Sequence, residues 1–227
     1  MTVISKESFT FLNDLKKNNN RDWFATNKKR YTDSHEDMIE FADSLLEELN
    51  KLDKIETVSG KKSLYRIYRD VRFSKDKSPY KTWWAGGFKR AGANLRGGYY
   101  FHIENGQLFA AGGFWGPNKE DLLLIRQQIQ SDPEPLRKII NSKSFKSHFG
   151  TLGGEQLKTA PKGFEKDDPA FDLLRYKQFL VSKQFEDKLA SKEDLAKEII
   201  SSYKAMRPFF DYMSDILTTD LNGESTI

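Results

Sequence analysis

The chain of 227 residues is long enough for one large domain or two small ones. It contains no Cys, which excludes disulfides, zinc–thiolate sites, iron–sulfur clusters and thiol nucleophiles, and its 17 Phe, 9 Tyr and 4 Trp indicate a packed core. The net charge of +4 hides a local asymmetry, because residues 61–96 hold eleven Lys or Arg against two Asp. Such a concentration predicts an anionic partner, although it says nothing about the fold.

The N-terminal quarter has the apolar spacing of helices. Residues 6–17 form a short amphipathic pattern that ends at the asparagines 18–20. Residues 21–53 predict one long helix or two, with Ser34 as a candidate cap for the second. The first residues lack the pattern of a signal peptide, and no apolar run approaches the ~20 residues of a membrane helix. We therefore expect a cytoplasmic protein that does not enter a membrane.

The centre of the chain alternates with the period of β-strands. Residues 64–73 are rich in aromatic and β-branched side chains and predict a strand, which the loop 74–79 follows. Residues 83–89 and 98–114 predict further strands. Within the last run, Asn105-Gly106 lies between two alternating stretches and predicts a tight hairpin.

Helix signals return after the hairpin. Caps or helix-starting prolines are predicted at Asn118, Asp132-Pro133, Asp168-Pro169, Ser191 and Pro208, and residues 179–185 predict one more strand. We expect an α+β fold, with a mainly antiparallel central sheet and N-terminal and C-terminal helices packed on it. We also expect a single domain of residues 1–227, of which about 220–227 form a frayed tail.

Several familiar sites are absent from the sequence. It has no phosphate-binding loop of the G-x-x-x-x-G-K-[ST] type, no G-x-G-x-x-G fingerprint and no H-E-x-x-H helix. With three His and no Cys, we predict no transition-metal site. The sequence does not exclude a carboxylate site for Mg²⁺, and it indicates no cofactor.

Residues 65–82, YRIYRDVRFSKDKSPYKT, form what we call the basic segment. One hypothesis is that its cations and rings bind an anionic ligand, because arginine captures phosphate and carboxylate in pairs of hydrogen bonds. The alternative is a solvated loop in which Asp70 is a structural counter-ion. Under the first hypothesis the ligand-binding residues are Arg66, Tyr68, Arg69, Arg72, Lys75, Lys77, Lys81 and Trp84, with Lys162 of the Pro-Lys-Gly-Phe turn.

Alternation places Arg69 on the face of Ile67 and Val71. An arginine there must be paired or must line a cavity, since an unpaired buried charge costs several kcal/mol. We therefore favour a basic, aromatic-lined cleft that binds a phosphorylated or other anionic small molecule of nucleotide type. If the protein is an enzyme, Asp70 and His102 are the candidates for proton transfer.

Two other functions use the same cations. The first is a nucleic-acid-binding module, in which they follow a phosphate backbone. The second is a protein-interaction module whose basic face docks an acidic partner. The sequence does not decide the ligand, the reaction or the oligomeric state.

Five stretches of the chain resemble the bacterial family catalogued as domain of unknown function 2461. They are residues 11–31, 65–82, 98–106, 112–117 and 157–169, in order and over nearly the whole length. The resemblance implies one shared pattern that joins the asparagine turn, the basic segment and the Pro-Lys-Gly-Phe turn. It implies no activity, cofactor or catalytic residue.

Overall fold

The computed structural model describes residues 2–220 and 224–226, and within them the fold is α+β as predicted. Four strands form one antiparallel sheet in the order β1-β2-β3-β4. The strands are β1 (Trp84–Lys89), β2 (Gly98–Glu104), β3 (Gln107–Phe114) and β4 (Phe179–Phe185). The helices are α1 (Lys6–Lys17), α2 (Arg21–Thr26), α3 (Lys28–Asn50), α4 (Gly60–Ser63), α5 (Lys119–Ser131), α6 (Glu134–Ile140), α7 (Lys143–Phe149), α8 (Phe171–Leu174) and α9 (Glu193–Thr218).

The chain divides into two compact units, each built from three segments. The first unit contains Met1–Phe88, Tyr100–Ala110 and Gln184–Ser201, and the second contains Lys89–Tyr99, Ala111–Lys183 and Ser202–Ile227. The single domain stays a prediction. Of the expected tail, residues 221–223 and 227 lie outside the described part of the chain, whereas the backbone N–H of residue 226 donates to the carbonyl of residue 218 at 2.9 Å.

In the first unit, helices α1 and α3 form the core with strand β2. The apolar face of α1 buries residues such as Phe11, and Phe41 of α3 meets Phe101 of β2 with ring centres 5.9 Å apart. Asp37 of α3 accepts hydrogen bonds from the backbone N–H of Ser5 at 2.9 Å and from its hydroxyl at 2.8 Å. This carboxylate therefore ties α3 to the N-cap of α1.

The predicted cap at Ser34 is wrong. Helix α2 is capped by Asn20, whose side chain accepts from the N–H of Trp23 at 2.9 Å, and α3 already begins at Lys28. Ser34 lies inside α3, where its hydroxyl accepts a hydrogen bond from Nε1 of Trp84 at 3.1 Å. The buried indole N–H of Trp84 thus finds its hydrogen-bond acceptor in a serine that the sequence pattern assigned to a helix start.

The predicted strand at residues 64–73 is also wrong. Only isolated bridges form there, between Leu64 and Gly86 and between Tyr68 and Tyr80. The carboxylate of Asp70 accepts a hydrogen bond from the N–H of residue 72 at 3.2 Å. This backbone group therefore bonds to a nearby side chain and not to a neighbouring strand. The alternating side chains therefore belong to an extended segment outside the sheet.

In the second unit, the second part of α9 packs against Tyr99 of β2. The ring of Tyr99 lies 4.8 Å from that of Tyr203 and 5.0 Å from that of Phe210. Helix α9 runs through Pro208 without a break, so the predicted helix start at this proline is wrong. The adjacent Phe209 and Phe210 are buried, and their packing outweighs the hydrogen bond that proline removes.

The predicted hairpin between β2 and β3 is confirmed. Asn105 and Gly106 form its two-residue turn, and Gly106 has a φ of +81°, which favours glycine. The amide of Asn105 also donates to the carbonyl of Phe9 at 3.1 Å. The hairpin is therefore fixed to α1 within the first unit.

Candidate functional site

The basic segment folds back on itself in the first unit. The N–H of Arg69 donates to the carbonyl of Pro79 at 2.9 Å, and the N–H of Lys81 donates to the carbonyl of Ile67 at 2.7 Å. Ile67 and Tyr80 are buried and hold the base of this loop in the core. The tip of the loop is exposed to solvent, and Phe73 there is 96% exposed.

Asn19, from the turn between α1 and α2, binds the base of the loop. Its Nδ2 donates to the carbonyl of Tyr80 at 2.9 Å, and the N–H of Tyr80 donates to its Oδ1 at 3.1 Å. The side-chain amide of Asn19 therefore makes the two hydrogen bonds to the backbone of Tyr80 that a neighbouring strand would otherwise make. The asparagine turn and the basic segment, which the family resemblance grouped, are therefore in direct contact.

A recess of about 370 Å³ lies beside this contact, and we call it the Lys81 recess. It is lined by Lys16, Asn19, Arg69, Asp76, Ser78, Tyr80, Lys81, Thr82 and Trp83. Three of these side chains are cationic and one is a carboxylate, so the lining carries excess positive charge. All of the lining residues belong to the first unit.

Lys81 is the cation of the recess that has no carboxylate partner in the described structure. Its Nζ donates to the carbonyl of Arg66 at 2.6 Å and lies 4.9 Å from the ring centre of Trp83 and 5.7 Å from that of Tyr65. Burial lowers the pKa of its ammonium. The charge is thus partly removed from water and held by dipoles and rings alone.

Arg69 lines the recess and is also paired, although the strand face on which alternation placed it does not form. Its Nη1 donates to Asp76 at 2.5 Å and to the carbonyl of Ser78 at 3.0 Å. Hydrogen bonds from the hydroxyl and N–H of Ser78, and then from Arg69, lower the pKa of Asp76 to about 2. Asp76 therefore stays ionised and offsets part of the charge of Arg69.

The other predicted cations do not line the recess. Nε and Nη2 of Arg72 donate to the carboxylate of Asp70 at 3.0 and 2.7 Å, and Lys77 donates to the carbonyl of Val71 at 2.9 Å. Arg66 and Lys75 are exposed, and their side chains make no hydrogen bond or ion pair within the described residues. The six predicted cations are therefore not brought together.

Three further predicted ligand-binding residues have other surroundings. Trp84 is 1% exposed and stacks on Tyr31 and His35, so it offers no face to a ligand. Tyr68 is half-exposed and packs on Tyr80 with ring centres 5.5 Å apart. Lys162 is an exposed residue of the second unit, in the turn of residues 161–164.

The two candidates for proton transfer differ in environment. Asp70 is exposed, and its hydrogen bonds with Arg72 lower its pKa, so it is held as an ionised counter-ion. His102 is 7% exposed, and its Nε2 lies 3.3 Å from Oε2 of Glu104. Burial lowers the pKa of His102 and outweighs the opposing effect of that carboxylate. In the described structure, the contacts of Asp70 and those of His102 have no residue in common.

Sequence reasoning missed Lys16 and Asn19 as members of one site. Lys16 is a last-turn cation of α1 and Asn19 follows the helix end, so each has an ordinary local explanation. Their inclusion depends on a contact with Tyr80, 61 residues after Asn19, which no local pattern encodes. The available signal was the resemblance of the asparagine turn and the basic segment to one family.

No cluster of three or more His, Asp or Glu suited to a metal ion occurs in the part of the chain that the structure describes. Among the same residues, no helix is both long and apolar enough to cross a membrane.

Comparison with known proteins gives one match. No curated protein and no solved structure matches the chain. The family described as "Conserved hypothetical protein (DUF2461)" matches residues 7–212, a range that contains every residue lining the Lys81 recess. The chain therefore belongs to the DUF2461 family.

Proposed function

We propose that the protein binds a phosphorylated or other anionic small molecule in the Lys81 recess. The observation that carries this proposal is the ammonium of Lys81, which is partly buried and has no carboxylate partner in the described structure. A cation in that state gains more from an incoming anion than a hydrated surface lysine does, because part of its desolvation is already complete.

The charges around Lys81 support the same ligand class. Lys16 and Arg69 line the recess with it, and Asp76, which also lines it, is bound by Arg69. The guanidinium of Arg69 and the ammonium of Lys16 add donors that suit phosphate or carboxylate oxygens. The indole of Trp83 offers a flat apolar surface for the rest of the molecule.

The size of the recess limits the ligand. A volume of about 370 Å³ lies near the lower end of the range of roughly 300–1,000 Å³ for small-molecule pockets. We expect a single phosphate, a phosphorylated metabolite or a mononucleotide. A polynucleotide would need a longer track of cations without carboxylate partners, and the carboxylate of Asp70 already neutralises Arg72.

Isothermal titration calorimetry with inorganic phosphate, AMP and citrate tests this function. Lys81→Gln should weaken binding about tenfold, equivalent to about 1.4 kcal/mol, which is typical of one hydrogen bond to a charged group in a partly open site. Lys75→Gln is the matched control, because Lys75 belongs to the same loop, is exposed and does not line the recess. It should leave the affinity unchanged.

The dependence of binding on salt separates this function from the two alternatives. A compact site should lose affinity only modestly between 50 and 200 mM salt, whereas a phosphate-backbone interface loses about 10³–10⁵-fold. Equal losses of affinity in Lys81→Gln and Lys75→Gln, or no heat with any of the three anions, would refute the proposal. A protein partner retained after nuclease treatment would favour the docking module instead.

A further inference from the structure

Three polar side chains form a hydrogen-bonded chain on one face of β2. Tyr100, His102 and Glu104 are two residues apart and therefore share that face. The hydroxyl of Tyr100 lies 3.1 Å from Nδ1 of His102, and Nε2 of His102 lies 3.3 Å from Oε2 of Glu104. Each nitrogen of the imidazole thus has one oxygen partner.

The carboxylate of Glu104 fixes the tautomer of His102. A carboxylate only accepts, so the proton of a neutral imidazole belongs on Nε2. The lone pair of Nδ1 then accepts the hydrogen bond of the Tyr100 hydroxyl. Burial lowers the pKa of His102, which keeps the imidazole neutral near neutral pH, with the lone pair of Nδ1 able to take up a proton. Burial also raises the pKa of Tyr100 to about 12, so the phenol keeps its proton until a base removes it.

The chain borders the Lys81 recess through two residues that line it. The ring centre of Trp83 lies 5.0 Å from that of His102, and Nζ of Lys16 lies 3.7 Å from Oε1 of Glu104. Tyr100 itself is partly exposed. Tyr100 therefore belongs to the same unit as the recess, and its hydrogen-bond partner His102 contacts the lining residue Trp83.

We infer that Tyr100 is a base-activated nucleophile, with His102 as its general base and Glu104 as the residue that positions the base. A nucleophilic hydroxyl, a base in hydrogen-bond reach and a third group that orients the base are the parts that covalent catalysis requires. This inference rests on the proposed function, because the recess supplies the anionic substrate. The substrate class is an anionic ester whose acyl or phosphoryl group is transferred.

The transfer reaction needs only these three side chains, the substrate and water. The phenol oxygen of Tyr100 bonds to the electrophilic atom, and the leaving group departs with the electron pair of the broken bond. The phenol proton passes to Nδ1 of His102, the Glu104 carboxylate holds the imidazolium, and Nδ1 then gives this proton to the leaving group. In the second step, Nδ1 takes a proton from the attacking water, the bond between the transferred group and the Tyr100 oxygen breaks, and the proton returns from Nδ1 to that oxygen, which restores the phenol.

Two aryl sulfonyl fluorides test the inference without knowledge of the natural substrate. Both 4-(fluorosulfonyl)benzoate and neutral benzenesulfonyl fluoride form an oxygen–sulfur bond to an activated tyrosine and release fluoride. Peptide mass spectrometry locates the label. With the neutral reagent, we expect Tyr100 to react at least tenfold faster than Tyr65, which is 48% exposed and has no histidine partner in the described structure. His102→Gln should slow the labelling of Tyr100 at least tenfold.

The two reagents separate failure of the nucleophile from failure of the anion site. Equal labelling of Tyr100 and Tyr65, or an unchanged rate in His102→Gln, would overturn the inference. The benzoate reagent should label Tyr100 faster than the neutral reagent, and Lys81→Gln should remove that advantage. Equal labelling rates with the two reagents in the wild-type protein would count against the anion site. In that case, the effect of His102→Gln on the rate at which the neutral reagent labels Tyr100 would still decide the role of Tyr100.

Glu104→Gln tests positioning by a readout that a structural role would not move. The groups that face His102 are Tyr100 and Glu104 on β2 and the rings of Trp83 and Phe109, with Lys16 behind the carboxylate. Since Glu104 raises the pKa of His102, its loss should move the half-maximal pH of labelling downward and lower the maximal rate. Glu104→Asp should recover part of the rate. An unchanged pH profile would contradict the assigned role of Glu104.

Discussion

Replacing Asn19 by Ala tests whether the asparagine turn holds the basic segment in place. The substitution removes two hydrogen bonds, one of 2.9 Å to the carbonyl of Tyr80 and one of 3.1 Å from its N–H. It leaves both backbone groups without a partner in a partly buried place. Each such group costs about 1–3 kcal/mol, and water reaches part of this site, so we expect a total loss of about 2 kcal/mol.

Urea unfolding followed by tryptophan fluorescence measures this loss. A decrease of about 2 kcal/mol corresponds to a melting temperature lower by about 4–8 °C in a chain of this length. Asn18→Ala is the matched control from the same turn, because its amide donates only to the carbonyl of Asp14, at 2.9 Å on an exposed helix end. We expect Asn18→Ala to change the free energy of unfolding by less than about 0.5 kcal/mol.

The same variant also reports on the recess. Because Asn19 positions Tyr80 next to Lys81, Asn19→Ala should weaken the binding of inorganic phosphate as well as stability. Equal small losses of stability in Asn19→Ala and Asn18→Ala would show that the Asn19–Tyr80 contact does not hold the loop.

Three further predictions concern other parts of the fold. Asp211→Ala should cost about 2–3 kcal/mol in urea unfolding, because it removes the carboxylate that accepts a hydrogen bond from Nη2 of the 0%-exposed Arg90 at 2.6 Å; a loss below 1 kcal/mol would contradict this. Gly113→Ala should destabilise more than Gly116→Ala in the same assay, because a Cβ at Gly113 would lie 2.2 Å from a carbonyl of β4, whereas Gly116 has open space. Burial lowers the pKa of His102 from 6.5, so its stabilising contribution is complete above pH 6.5 and is lost as pH falls through the folded pKa. His102→Gln should accordingly lose less stability than the wild type between pH 7.5 and 5.5, and equal losses would exclude this role.

The sequence predicted the elements whose signals are local. The hairpin at Asn105-Gly106 and the cap at Asn118 depend on neighbouring residues, and both are confirmed. Pro208 does not end α9, and residues 64–73 do not form a strand, because burial in one case and side-chain bonds to the backbone in the other outweigh local preference.

The candidate site was predictable only in part. Composition identified the basic segment, yet the cations of that segment have different partners. Which of them remain without a carboxylate depends on loop geometry, since Asp70 and Asp76 each neutralise one arginine while Lys81 bonds to a carbonyl. A count of charges along the sequence cannot make that distinction.

A crystal structure of the protein grown with tungstate tests the central claim most directly. Tungstate has the charge and shape of a phosphate-like oxyanion, and its anomalous scattering marks its position without ambiguity. The account predicts a peak within hydrogen-bond distance of Nζ of Lys81 and near Arg69. Peaks confined to exposed lysines such as Lys75, with none in the Lys81 recess, would contradict it.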